Sequence, residues 1–370
     1  MILLKHPGKT VVVVGCGNIG SHLVSHLGRI DCISRVTLVD KDVYEPANLA
    51  SQDIAPRDVG KSKVTVQSRR LVRIGPRLRV EAIAGAVEGV PLGKLRANVI
   101  LSCLDSRVAR QHVNQFAWRL GVPMIDAGVE AGGLLARINV YVPGFDNPCL
   151  ECAWDDRDYE ALEQTYPCQE GATNVDATNV ARTSAPSSLG ALAASLQAIE
   201  CHKLLLGQTD QVAIGQQVLI DALHHRHFVT SFRRNPDCRF RHDVWRIQQA
   251  SRDITLREAL ALGPSARGNH STSLKIEGKP FVTKLVCAGC GHTRKLLRLE
   301  CSLRDSDVIC VHCGQRMRGV GFDLLEELNA ETVPTSGLGI TLRKLGLRTG
   351  DVFGIGSEHY EISHVQRREL

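Results

Sequence analysis

The sequence predicts an α/β fold: a Rossmann-like, mostly parallel sheet with helices on both faces, followed by a small C-terminal α+β domain. Continuous apolar strands alternate with helical segments through the first half, which is typical of a parallel sheet covered on both sides. The first strand runs directly into a glycine-rich turn. Near residue 250 the pattern changes to a short helix, a Ser/Gly/Asn-rich loop and a cysteine-rich segment. We therefore expect domains at 1–250 and 251–370.

The individual elements follow from hydrophobic periodicity and from residues that end helices. An amphipathic helix follows the glycine turn, and Gly207 ends a long Ala/Leu-rich helix. The histidine cluster "HHRHF" and the segment "GDVFGIGSEHYEI" predict a strand and a β-hairpin. The predicted strands are 11–14, 35–40, 81–86, 98–105, 123–129, 133–144 and 224–228, and the later helices are 61–74, 106–120 and 187–206.

Composition narrows the class of protein. Of the 370 residues, 43% are hydrophobic, and no apolar run reaches the roughly eighteen residues of a membrane span. The N-terminal stretch "MILLKHPGKTVVVVG" lacks a signal-peptide pattern, so we expect a cytoplasmic protein whose 13 cysteines are reduced. The net charge of +6 is mild and interspersed, and a nucleic-acid partner is not favoured.

A glycine motif opens the first helix. Gly15, Gly17 and Gly20 follow a strand with the spacing that lets a backbone turn approach a phosphate at a helix N-terminus. Asp40 follows twenty positions after Gly20, where an acidic residue would meet a ribose hydroxyl. The motif predicts nucleotide binding but does not separate a redox dinucleotide from ATP.

The segments after this motif decide between those nucleotides. "VDKDVYEPANLASQDIAPRDVGKSKV" (39–64) has the order Asp-x-Asp, Asn-Leu, Gln and Asp-x-Gly-x-x-Lys, which resembles the ThiF/MoeB and ubiquitin-activating enzyme superfamily. "LSCLDSRVARQHVNQFAWRLGVPMIDAGVEAGG" (101–133), "CLECAW" (149–154) and "APSSLGALAASLQAIECHKLLLG" (185–207) continue the resemblance in the same order. The resemblance covers roughly residues 8–245 and disfavours an NAD-dependent oxidoreductase.

The resemblance implies an adenylation site for ATP and magnesium. Asp40 would hold the ribose, Asn48 and Lys63 would contact the phosphates, and Asp105 would hold magnesium as a catalytic residue. Asp42 lies at the same strand end as Asp40. The full set of implied nucleotide-site residues is Gly15, Gly17, Asn18, Gly20, Asp40, Asp42, Asn48, Gln52, Lys63 and Asp105.

Two positions depart from the family pattern. Ser51 stands where the family usually has an arginine, and Ser106 stands where it usually has an asparagine. Arg57 or Arg110 could supply the missing positive charge.

Eight residues form two predicted zinc sites. Cys149 and Cys152 resemble the family's first zinc pair, and Cys238 with His242 would complete a structural Cys3His site. Separately, the spacing Cys-x2-Cys-x19-Cys-x2-Cys predicts a zinc ribbon with four protein ligands and no open coordination position. The ribbon ligands are Cys287, Cys290, Cys310 and Cys313. For the ribbon we favour protein contact or scaffolding.

Cys168 stands apart from the other cysteines because it lies in a polar segment, "TYPCQEG", between the first zinc pair and the long helix. Cys16 lies in the glycine turn and Cys32 near a helix end, whereas Cys103, Cys201 and Cys301 are expected on a buried strand, a helix and a ribbon strand. In the family, the loop that contains Cys168 bears the cysteine that forms a thioester or persulfide with the activated carrier protein. A thiolate is a suitable nucleophile for acyl transfer.

These implications favour an activating enzyme for a ubiquitin-like protein. It would adenylate the C-terminal glycine of that partner, form a thioester on Cys168, and transfer the acyl group to a conjugating enzyme, as in bacterial ubiquitin-like conjugation. The resemblance also implies a homodimer. The alternatives are a sulfur-carrier adenylyltransferase of thiamine or molybdopterin synthesis, a tRNA-modifying cyclodehydratase, and a catalytically weakened adaptor.

Overall fold

The structure is a computed structural model that describes residues 8–163, 185–263 and 272–363. The chain divides into two compact units. The first comprises Met1–Glu88 with Leu95–Val244, and the second comprises Gly89–Lys94 with Trp245–Leu370. In the described parts of the chain, no helix combines the length and the apolar character that a membrane crossing needs.

An eight-stranded sheet forms the first unit, with strand order β3-β2-β1-β4-β5-β6-β7-β8. The strands are β1 (Lys9–Val14), β2 (Ile33–Asp40), β3 (Arg79–Ala84), β4 (Val99–Ser102), β5 (Met124–Glu130), β6 (Leu135–Tyr141), β7 (Gln216–Asp221) and β8 (Arg226–Ser231). The first five strands are parallel, whereas β6, β7 and β8 are added antiparallel. The predicted Rossmann-like, mostly parallel sheet is confirmed.

Three helices follow parallel strands of the sheet, and two more come after β6. They are α1 (Asn18–Leu27), α2 (Lys63–Ile74), α3 (Arg107–Arg119), α4 (Asp156–Glu163) and α5 (Ser187–Leu205). Since the strand order reverses between β1 and β4, right-handed crossovers place α1 and α2 on one face and α3 on the other. α5 packs against α1 and over β4, β5 and β6. The reversal creates a crevice at the carboxyl ends of β1 and β4, where ligands bind in such sheets.

The second unit holds a five-stranded sheet and a smaller ribbon sheet. The first sheet has the order β15-β10-β16-β17-β9, and β11 pairs with β12, β13 and β14 in the second. The strands are β9 (Ile247–Ser251), β10 (Leu274–Lys275), β11 (Phe281–Cys287), β12 (Thr293–Leu299), β13 (Met317–Arg318), β14 (Leu324–Leu325), β15 (Glu327–Leu328), β16 (Val352–Ile355) and β17 (Glu358–Ser363). The helices are α6 (Leu256–Leu260) and α7 (Asp305–Val308).

Two details differ from the sequence predictions. His224 and His225 lie in the turn between β7 and β8, with His225 at φ +53°, so only the later part of "HHRHF" is strand. Cys301 lies in a short 3-10 helix, Glu300–Ser302, and not on a ribbon strand. β9 pairs with β17 of the second unit. The predicted hairpin forms from β16 and β17.

Candidate active site

The three glycines of the first turn serve different purposes. Gly15 has φ +94°, and a Cβ there would lie 2.5 Å from the Cys103 carbonyl oxygen. A Cβ on Gly20 would lie 1.9 Å from the Gly15 carbonyl oxygen, so both glycines are required for close backbone packing. A Cβ on Gly17 would have Gln52 Nε2 as its nearest neighbour, at 4.0 Å. Gly17 therefore leaves open space above the turn, which suits the close approach of a nucleotide.

Asp40 fixes the glycine turn to the end of β2. Its carboxylate accepts hydrogen bonds from the backbone N–H of Cys16 at 2.6 Å and of Asp42 at 2.8 Å. Burial raises the pKa of Asp40, while these two backbone donors act in the opposite direction. The carboxylate thus lies at the carboxyl end of β2, next to the turn, and its role at a ribose stays a prediction.

Lys63 places a nearly buried cation beside this strand end. Its Nζ lies 3.1 Å from Asp42 Oδ2, and the lysine is only 8% exposed. Tyr44, which sequence reasoning missed, donates from its hydroxyl to the Cys16 carbonyl and accepts from Gln67 Nε2. Burial raises the pKa of Tyr44, so it stays a neutral donor. These bonds hold the lysine, the tyrosine and the turn in one arrangement.

Two amide side chains leave buried acceptor atoms near the turn. Asn18 donates through Nδ2 to the Ala185 carbonyl at 3.0 Å, but its Oδ1 is buried and has no hydrogen-bond partner among the residues that the structure describes. Gln52 Oε1 is likewise buried without a partner in the structure. Buried acceptors of this kind are costly unless a donor reaches them, and a ribose hydroxyl or an adenine amino group is such a donor. These residues therefore fit a nucleotide.

Asn48 lies in a 3-10 turn, Pro46–Ala50, between β2 and α2. Its Oδ1 accepts the backbone N–H of Glu45 at 2.9 Å, which closes a capping box. The turn is thereby fixed. Contact between Asn48 and phosphate stays a prediction.

Asp105 lies between β4 and α3 and is exposed. The neighbouring Ser106 caps α3, because its Oγ accepts the backbone N–H of Ala109 at 3.3 Å. Leu104, on the other side, lies within 3.4 Å of the Cβ position of Gly15. Asp105 is therefore an accessible carboxylate at the carboxyl edge of the sheet, and an oxygen ligand there fits magnesium.

Beside this edge, β5 carries a charged group that sequence reasoning missed. Asp126 is fully buried and accepts from Ser102 Oγ at 2.8 Å. Arg137 Nη1 lies 3.1 Å from one carboxylate oxygen, and Arg110 Nε lies 3.6 Å from the other. The signal that could have found this group is a carboxylate inside an apolar strand, "PMIDAGV", which needs buried partners.

The first predicted zinc ligands come together. The Sγ atoms of Cys149 and Cys238 are 3.9 Å apart, those of Cys149 and Cys152 are 3.8 Å apart, and Cys152 Sγ lies 3.2 Å from His242 Nε2. Zn–S bonds of about 2.3 Å in a tetrahedron place sulfur atoms about 3.8 Å apart. The four residues therefore fit a zinc ion.

Glu151, between the first two cysteines, ties this cluster to the neighbouring helices. Its buried carboxylate accepts from Gln111, Asn114 and Gln115 of α3 at 2.8 to 3.4 Å. It also accepts from the hydroxyl of Tyr159 in α4 at 3.2 Å. The cluster thus positions α3, which begins just after Asp105, and α4, which precedes the segment of Cys168.

The four ribbon cysteines also come together, in the second unit. Cys287 Sγ lies 3.4 Å from Cys313 Sγ, and Cys290 Sγ lies 3.6 Å from Cys310 Sγ. All four ligand atoms lie within 4.8 Å of one another. The set could hold a zinc ion, as the ribbon spacing predicts.

Cys168 lies outside the described residues, so its position is not part of this site geometry. Outside the two zinc-ligand sets, three of the described cysteines are buried: Cys16, Cys103 and Cys201. Burial raises the pKa of each thiol, to about 12 for Cys201, and Cys103 Sγ donates to Gln197 Oε1 at 3.2 Å. These three are core residues and poor nucleophiles.

The crevice at β1 and β4 belongs to the Rossmann-like α/β class, in which nucleotides bind at this place. A model of the ThiF family matches residues 5–240, and the chain belongs to that family.

Individual relatives agree with this assignment. The sulfur carrier protein ThiS adenylyltransferase of Escherichia coli is 26% identical over 231 residues, covering 62% of this chain and 84% of the relative. Ubiquitin-like modifier-activating enzyme 5 of Dictyostelium discoideum is 25% identical over 249 residues, covering 62% of this chain and 60% of the relative. Among solved structures, E. coli MccB with succinimide matches with a TM-score of 0.50 and 25% identity, covering 63% of this chain and 66% of MccB. Membership implies adenylyl transfer from ATP.

Proposed function

We propose that the protein adenylates the C-terminal glycine of a ubiquitin-like or sulfur-carrier protein with ATP. The observation that carries this proposal is the arrangement at the carboxyl edge, where the open space at Gly17 adjoins Gln52 and Asp40 holds the turn. The names of the relatives point to carrier proteins of this kind.

The site residues would act as follows. Attack of a carboxylate on the α-phosphate brings two anions together, so the site needs fixed positive charge. Lys63 would supply part of that charge, since burial and Asp42 fix its ammonium group in place. Asp105 would hold magnesium, whose charge neutralises the phosphates when bound. Asp40, Asn18 and Gln52 would orient the nucleoside.

We further propose that Cys168 then takes the acyl group. Its thiolate would attack the carbonyl carbon of the acyl adenylate, forming a C–S bond while the C–O bond to AMP breaks and AMP leaves. The thioester would pass to the thiol of a conjugating enzyme, which regenerates the Cys168 thiol. Homodimer assembly and two structural zinc ions complete the proposal, with 1–250 as the adenylation domain and 251–370 as the zinc-ribbon domain.

A sulfur-carrier adenylyltransferase is the second candidate. The match to the ThiS adenylyltransferase extends over 84% of that protein, compared with 60% of the ubiquitin-like modifier-activating enzyme. In this case Cys168 would handle sulfur as a persulfide. A catalytically weakened adaptor is the remaining alternative, because Ser51 replaces an arginine that the family usually carries.

ATP–pyrophosphate exchange tests the adenylation step. Purified ubiquitin-like and sulfur-carrier proteins that end in glycine are assayed one by one, each beside a version that lacks the terminal glycine. We expect exchange with at least one partner and none with its truncated version. Absence of exchange with every partner would support the adaptor.

A non-reducing gel tests whether Cys168 is the residue that forms the covalent adduct. We expect a reducible adduct of enzyme and carrier that is lost in Cys168→Ala and kept in the control Cys301→Ala, which changes an exposed cysteine outside the two zinc-ligand sets. An adduct that survives Cys168→Ala rules out the assigned nucleophile. Mass spectrometry of the adduct distinguishes a thioester from a persulfide-derived species.

A further inference from the structure

We infer that Arg110 and Arg137 form a seat for a carboxylate above Gly128, and that this seat receives the terminal carboxylate of the carrier protein. The inference rests on the proposed function and names where the acyl substrate would lie before adenylation.

Two guanidinium groups converge on one glycine. Gly128 of β5 pairs with Arg137 of β6, and Arg110 reaches the same place from α3. A Cβ built on Gly128 would lie 3.2 Å from Arg110 Nη2 and 3.2 Å from both Cζ and Nε of Arg137. Gly128 is not among the residues with positive φ, so the backbone does not require glycine there. The missing side chain instead lets the two guanidiniums pack directly against the backbone at Gly128.

The charges at this place do not balance. Asp126 pairs with both arginines and is completely buried beneath them, whereas the side chains of Arg110 and Arg137 are 17% and 28% exposed. Within the described residues, Asp126 is the one carboxylate at ion-pair distance from either guanidinium. Two positive charges and one negative charge leave a net positive charge on the accessible side. A second carboxylate would compensate for it with charge-assisted, bidentate hydrogen bonds.

Other contacts hold the two guanidiniums in place. Arg110 donates from Nε to the Leu104 carbonyl at 2.8 Å and from Nη2 to the Ala127 carbonyl at 3.3 Å. Arg137 Nη1 donates to Asn139 Oδ1 at 2.6 Å as well as to Asp126. These bonds lower the entropic cost of fixing the side chains around an incoming group.

The position suits the acyl substrate. Leu104, which accepts from Arg110, directly precedes Asp105, the proposed magnesium ligand. β5 continues past the last paired residue of β4, Ser102, so Gly128 lies beyond the end of β4 at the carboxyl edge. A carboxylate seated there would lie on the edge that holds the nucleotide in such sheets.

Peptide binding tests this seat without the need for catalysis. The full chain, labelled with 15N at arginine, is titrated with acetyl-Gly-Gly and, separately, with acetyl-Gly-Gly-amide. We expect the Nε resonances of Arg110 and Arg137 to shift with the acid and not with the amide. Equal shifts with both peptides, or none with the acid, overturn the inference. This readout stands even if no carrier supports pyrophosphate exchange.

Variants separate the seat from a purely structural ion pair. Arg137→Gln keeps a donor for Asp126 but removes the charge, and Arg73→Gln changes an exposed arginine on α2 as the control. We expect Arg137→Gln to weaken binding of acetyl-Gly-Gly at least about tenfold, as loss of a bidentate partner predicts, and the control to bind as the unchanged protein does. With an active carrier, KM for the carrier should rise while KM for ATP stays within about twofold. Loss of stability with unchanged peptide binding would show a structural role only and overturn the inference.

Discussion

The two cysteine clusters share their ligand chemistry but differ in what they hold together. In the first, Cys149 and Cys238 are 89 positions apart, and Trp118 Nε1 donates to the His242 carbonyl at 2.6 Å. In the ribbon, Cys287 and Cys313 are only 26 positions apart, and Cys290 and Cys313 are exposed. The first cluster joins distant segments of the first unit, whereas the ribbon closes a local fold. The consequences of losing each cluster should differ accordingly.

The largest effect is expected from Cys238→Ser. It removes one ligand of the first cluster and leaves the remaining thiols without a metal. It also releases the segment around Cys238, which the cluster joins to Cys149. We expect the first unit to lose about 4 kcal/mol or more of its free energy of unfolding, the range of losses caused by removing a metal site. Denaturant unfolding followed by tryptophan fluorescence measures the loss, and metal analysis should show one zinc per chain instead of two. An unchanged midpoint would contradict a structural role for this cluster.

Cys310→Ser makes the matching change in the ribbon, at a buried cysteine. Because the small ribbon core surrounds its ligands, we expect this part of the second unit to unfold and one zinc to be lost. Pyrophosphate exchange should stay within about twofold of the unchanged protein, since the proposed nucleotide residues all lie in the first unit. Loss of exchange would show that the ribbon takes part in adenylation.

Glu151→Gln tests how the first cluster positions its helices. An amide has only one acceptor oxygen, so it cannot accept hydrogen bonds from all four donors that contact the carboxylate. Its NH2 group would instead face some of these donors. We expect a loss of about 2–3 kcal/mol in the free energy of unfolding. Glu160→Gln, an exposed position on α4, is the control and should change it by less than about 0.5 kcal/mol. Equal effects of the two variants would argue against the network around Glu151.

The smallest effect is a dependence of stability on pH in the first unit. Burial lowers the pKa of His22, which lies 3.0 Å from Ser187 Oγ; Arg70 lowers it further, and Asp53 acts in the opposite direction. The pKa of His22 in the folded protein lies below the unfolded value of about 6.5. The stability that comes from keeping His22 neutral is therefore fully present above that pH, and it is lost as pH falls through the folded pKa. Thermal unfolding at a series of pH values should show the loss, and His22→Gln should reduce it. A pH profile unaffected by the substitution would contradict the assignment.

The parallel strands, the helices and the turn at Gly15 could be predicted because their signals are local: apolar runs, amphipathic spacing and glycine. The zinc ligand sets were predictable from Cys-x-x-Cys spacing and the family resemblance, and both sets come together. The group around Asp126 was missed because it depends on the register of β5 with β6, which sets Gly128 opposite Arg137. Likewise, the importance of Tyr44 and Glu151 depends on partners distant in the sequence, which lie 28 and 23 positions from Tyr44 and, for Gln111, 40 positions from Glu151. Cys168 stays a sequence-based prediction.

Trapping the carrier adenylate tests adenylation most directly. Cys168→Ala is mixed with ATP, magnesium and a glycine-ended carrier, the reaction is quenched, and the carrier is analysed by intact-mass spectrometry. We predict that carrier–AMP accumulates because the thiol that would remove it is absent, and that Asp105→Ala together with Cys168→Ala prevents its formation. A carrier that supports exchange with the unchanged protein but never appears as the AMP adduct would contradict the account.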